Sequence, residues 1–93
     1  MTDISGRPEQ KPISADFFPN VRKLMRDCGP NKNDRANAVI TACIIEGINR
    51  GGRILGVMHT LEFNRKHAGV TISRGITEGR WSKDDDGVYH LPD

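Results

Sequence analysis

The sequence predicts a mostly α-helical domain finished by a small β-hairpin, an α+β fold. Three observations carry this prediction. Apolar residues recur at helical spacing in four successive stretches of the 93-residue chain. Gly, Pro and Asn punctuate those stretches where helices start and stop. The pattern then changes over 80–91, where two short apolar-containing arms flank Asp86-Gly87, a pair suited to a tight turn with positive φ.

Residues 1–14 are polar, contain Gly6, Pro8 and Pro12, and show no period, which predicts a disordered tail. A single domain is expected over 15–93. Its first helix runs over 16–28. Asp16 is the expected cap, and Pro19 is tolerated in the first turn because the N–H groups there have no internal partner. Phe17, Val21, Leu24 and Met25 make its apolar side, and Gly29-Pro30 stops it. The large apolar residues of this helix are assigned to the core.

The second helix is expected over 33–50, capped by Asn33 or Asp34 and ended by Gly51-Gly52. Ala36, Val39, Ile40, Cys43, Ile44, Gly47 and Ile48 give it a wide apolar stripe. Arg53-Ile54 is too short for an independent strand. Leu55, Val57, Met58 and Leu61 fit a short third helix, weakened by Gly56. Phe63 is expected to fill the angle that follows, and Asn64 to cap a fourth helix over 64–77. In that helix Ala68, Ile72 and Ile76 form the predicted buried seam, Val70 points away from it, and Gly75 suggests a break. Trp81 on one arm and Tyr89 or Leu91 on the other supply cross-strand contacts in the hairpin, and the three are expected to finish the core.

Composition excludes several functional classes. A net charge of +2 is too mild to name a partner. The two cysteines make no disulfide framework, and neither has His or Cys near it at zinc-ligand spacing. No apolar run is long enough for a membrane span, and no secretory pattern opens the chain, so a cytoplasmic protein is expected. His59, His67 and His90 are scattered, and no phosphate-binding glycine loop is present. Asp84-Asp85-Asp86-Gly87 lacks the alternating spacing and the closing Glu of a calcium loop. No catalysis and no cofactor are expected.

Residues 53–91 resemble the winged helix-turn-helix family. Ile54 stands at the first strand, Val57 and Leu61 on the motif's second helix, and Phe63 and Asn64 at the turn. Ala68, Ile72 and Ile76 stand on the third helix, Gly79 before the wing, and Trp81 through Leu91 form the wing. The resemblance makes the 33–50 helix the first of the domain and the 16–28 helix an extra one in front. It implies a small DNA-binding transcription regulator with a recognition helix at 64–77.

Two positions depart from that pattern. Glu62 stands where such turns usually carry Gly. The wing tip is acidic, and carboxylates repel phosphates, so this wing is not expected to clamp DNA. The residues expected to meet nucleic acid are Asn64, Arg65, Lys66, Ser73, Arg74 and Thr77, which place donors and three cations on one helix without an acidic residue. The alternative is a protein-interaction or dimerisation module on the same scaffold, without DNA binding. Double-stranded DNA, a second copy or another protein are the partners considered, and no membrane.

Overall fold

The computed structural model describes residues 13–92, so the tail expected over 1–14 lies outside it up to residue 12. Ile13, assigned to that tail, packs against the core. Among the described residues the order is α1 (Phe17–Asp27), α2 (Lys32–Glu46), α3 (Gly51–Thr60), α4 (Arg65–Thr77), β1 (Ser82–Lys83) and β2 (Tyr89–His90). The molecule is thus mostly helical, with one small antiparallel sheet.

Helix α2 is the centre, because it packs against α1, α3 and α4. Ala36, Val39, Ile40 and Cys43 recur at helical spacing and are fully buried. Burying each large aliphatic side chain is worth about 1.5–3 kcal/mol. The cap is Asn31 rather than Asn33 or Asp34. Its Oδ1 accepts from the Asn33 and Asp34 N–H groups at 2.9 and 3.1 Å. Helix α1 contacts chiefly α2, so only a narrow stripe of it, Phe17 and Val21, is buried. Asp16 makes no side-chain cap. The Ser14 carbonyl accepts the Phe17 N–H instead, at 3.1 Å.

The second helix is shorter than its apolar pattern suggested. It ends at Glu46, and Gly47 turns left-handed with φ 91°. Gly47 N–H then donates to Ile44 O and Ile48 N–H to Cys43 O, satisfying the last carbonyls. Ile48 still reaches the core from the link, which is why the period seemed to run on. Gly51 and Gly52, expected to stop this helix, open α3 instead. Arg53 and Ile54 therefore lie inside α3 and form no strand. The strand-like contact falls three residues earlier, where Arg50 bridges Val88 and Tyr89 N–H donates to Asn49 O at 2.7 Å.

The α3–α4 turn repeats the closure seen after α2. Glu62 N–H donates to His59 O and Phe63 N–H to Met58 O, with Glu62 in the left-handed position at φ 69°. After α4 the same closure is made at Gly79, φ 76°, through Ile76 O and Gly75 O. Glycine stands at two of these three closures and a β-carbon strains the third. Replacing Glu62 with Gly is therefore expected to stabilise the fold by up to about 1 kcal/mol, read as a rise in denaturation midpoint. A fall in the midpoint would contradict this.

Asn64 caps α4, its Oδ1 accepting from His67 N–H at 3.1 Å. Ala68 and Ile72 are buried as expected, but Ile76 is 39% exposed. The seam turns to Thr71 and Gly75 instead. The Thr71 hydroxyl is satisfied by His67 O at 2.8 Å. The helix does not break at Gly75. The Trp81 indole lies against that glycine, and its Nε1–H donates to Ile72 O at 2.9 Å. Trp81 thus finishes the core by sealing α4, with Tyr89 buried and Leu91 packed against it. The strands are shorter than the predicted arms and pair Ser82 with His90 and Lys83 with Tyr89.

Candidate nucleic-acid interface

One side of α4 is occupied by the seam, so the residues between its buried positions must face out. Arg65, Lys66, Ser73, Arg74 and Thr77 are all exposed and line one shallow surface together with Gly69 and Val70. Five of the six expected contact residues are thereby brought together. Asn64, the sixth, lies around the corner. It borders a separate depression with Lys32, Arg35, Phe63 and His67, and its Oδ1 is engaged by the cap. His67 Nε2 also meets Asn33 Oδ1 at 3.0 Å, tying the start of α4 to α2.

Sequence reading missed the contribution of α3. Gly52, Leu55, Gly56 and His59 line a second depression that ends on Arg65, so the α3 surface continues into that of α4. The signal was the four-residue interval from Gly52 to Gly56, hidden because both glycines were assigned to other roles. Across α3 and α4 the charged residues are Arg53, Arg65, Lys66 and Arg74, with no Asp or Glu.

Glu62 stands exposed in the turn between these helices, and the other carboxylates lie off them. Glu78 pairs with Arg80 Nε at 2.9 Å beyond the end of α4, and both side chains are about half exposed. Asp84, Asp85 and Asp86 crown the hairpin. Asp84 organises that tip. One carboxylate oxygen accepts from Asp86 N–H and Val88 N–H at 2.9 and 3.0 Å, and the other meets His90 Nε2 at 2.8 Å. Arg50 Nη1 donates to Asp86 O at 3.1 Å and ties the turn to the α2–α3 link.

These bonds, the one from His90 foremost, hold the Asp84 carboxyl below its ordinary range. The sign of the pH dependence follows. The unfolded chain takes up this proton at a higher pH than the folded chain does. The stabilisation is complete above the unfolded value, about pH 4, and disappears as pH falls through the depressed folded value. Protection of the Asp86 and Val88 amides, taken relative to their intrinsic exchange, is expected to fall over that window. With Asp84→Asn the acid-dependent component should vanish. The same acid dependence in Asp84→Asn as in the wild type would contradict this.

The cysteines do not enter the interface. Burial pushes the Cys43 thiol up to about 12, leaving it a small apolar side chain at neutral pH. Among the described residues no group of His, Cys, Asp and Glu could hold a metal ion, and no helix is long and apolar enough to cross a membrane. Comparison with family models, curated proteins and solved structures yields no match to this chain.

Proposed function

We propose that the chain is a small DNA-binding regulator of transcription, with α4 as a recognition helix and a winged helix-turn-helix plan. The observation that carries this reading is the segregation of charge. The two helices flanking the Glu62 turn present cations without a carboxylate, while three aspartates are confined to the hairpin tip. A helix of this width fits the major groove of duplex DNA. Arg65 and Arg74 have the planar fork that pairs with guanine or phosphate, Lys66 supplies a point charge, and Ser73 and Thr77 donate or accept. Of Asn64, the side-chain amide N–H groups remain for DNA while its oxygen caps the helix. The glycines of α3 leave room for a phosphate backbone beside Arg65. The acidic hairpin stands clear of DNA and braces the core instead.

The test is a titration with mixed-sequence duplex at two salt concentrations, following backbone amide shifts. Salt-sensitive shifts clustered on 64–77, with smaller ones at 84–87, are expected. No shift at low salt would sink the proposal.

A second reading, a protein-docking module, has one observation in its favour. Leu24 and Ile45 are 38% and 71% exposed and border one groove between α1 and α2. The other large apolar residues of α1, namely Phe17, Phe18, Val21 and Met25, pack into or against the core. Sedimentation tests the dimer that this groove would form. A concentration-independent 10.3 kDa species would argue against self-association.

A further inference from the structure

Val70 is an apolar residue on an otherwise polar helix face. It is 45% exposed and lines the same surface as Lys66, Ser73 and Arg74. An isolated exposed valine needs no explanation in itself. Its position gives this one a role. Lys66 and Arg74 lie one helical turn to either side, about 6 Å along the axis. At a base-pair rise of about 3.4 Å, groups that reach bases from those two positions bracket the base beneath Val70 within a few steps. Gly69, the neighbouring residue, has nothing within 4 Å of where a β-carbon would stand. No side chain there holds the helix off a groove floor.

We infer that Val70 reads the C5-methyl group of a thymine in the major groove. The inference rests on the proposed DNA-binding role of α4 and deepens it. Of the features on the major-groove edges of the four bases, the thymine methyl is the apolar one. A branched aliphatic side chain makes no hydrogen bond there. It gains by removing that methyl from water and leaves the hydrogen-bonding edges of other bases unpaired. Val70 is thus a specificity-determining residue, while Lys66 and Arg74 beside it supply attraction to phosphate or guanine. Burial of one methyl group sets the scale of discrimination at roughly threefold to fivefold.

The test removes that methyl and nothing else. Duplexes retained by the full chain from a randomised pool are resynthesised with deoxyuridine replacing each thymidine in turn. One thymine position is expected to lose about threefold to fivefold in affinity on replacement. In Val70→Ser, which is exposed and leaves the core intact, thymine and uracil at that position should bind equally. Thermal melting of the variant checks that it is folded. Equal binding of thymine and uracil at every position overturns the inference and leaves DNA binding standing. So does a uracil penalty that persists in Val70→Ser. Failure to retain any duplex overturns the DNA-binding proposal, and this inference with it.

Discussion

Gly75→Ala is expected to destabilise the protein by about 3 kcal/mol or more, although alanine is the better helix former. A β-carbon on Gly75 would stand 2.1 Å from Trp81 Cζ2 and 2.2 Å from Cε2. Those are ring atoms of a side chain that is 2% exposed and tied by its Nε1–H to Ile72 O. The indole has no free end to move, so it must leave its site or push α4 away. Overpacking of this kind costs about 1–3 kcal/mol, and displacing a buried tryptophan about 3–5. Thermal denaturation should show a fall on the order of 10–20 °C. Gly69→Ala is the control. Its β-carbon would meet nothing within 4 Å, so helix propensity alone acts. That change is expected to stabilise by about 0.5–1 kcal/mol. Equal effects of the two substitutions would refute the role given to Trp81.

Removing Arg65 and Arg74 together is expected to reduce affinity for duplex DNA by about 100-fold or more at low salt, with no change in melting temperature. Both side chains are exposed on the surface shared with Lys66 and Ser73. An arginine paired with a base contributes about 1–3 kcal/mol, and each phosphate contact contributes nearly one unit to the salt slope. If both arginines meet phosphate, the slope of log affinity against log salt should fall by about two. If they meet bases, the slope should hold while sequence preference relaxes. A variant that binds as tightly as the wild type would remove α4 as the contact surface. Substituting Arg22 and Arg26 on α1 gives the comparison, since they lie outside that surface.

Much of this organisation was legible in the residues, and the misses share a cause. The α2 core positions Ala36, Val39, Ile40 and Cys43 follow directly from helical period. So do the outward positions of Arg65, Lys66 and Arg74, once Ala68 and Ile72 are placed inside. Asn64 was recognisable as a cap from its chemistry. The Gly51-Gly52 pair was misread because glycine marks a helix start and a helix stop alike, and the true stop, Gly47, looked like part of the stripe. Ile76 was misassigned because a single four-residue period ignores what packs on the helix end. Trp81 covers Gly75 and draws the buried face to that side. Period describes a helix alone, and these positions are set by a partner distant in sequence.

Arg50 and Asn49 reach forward to Asp86, Val88 and Tyr89, and Trp81 reaches back to Gly75 and Ile72. During synthesis these partners emerge only after all four helices have been made. A nascent chain exposed only as far as Thr77 has every helix but no seal over α4 and no brace on the α2–α3 link. Completion of the domain is thus coupled to release of the hairpin from the ribosome. Until the hairpin has emerged, its contacts to α4 and to the α2–α3 link are missing.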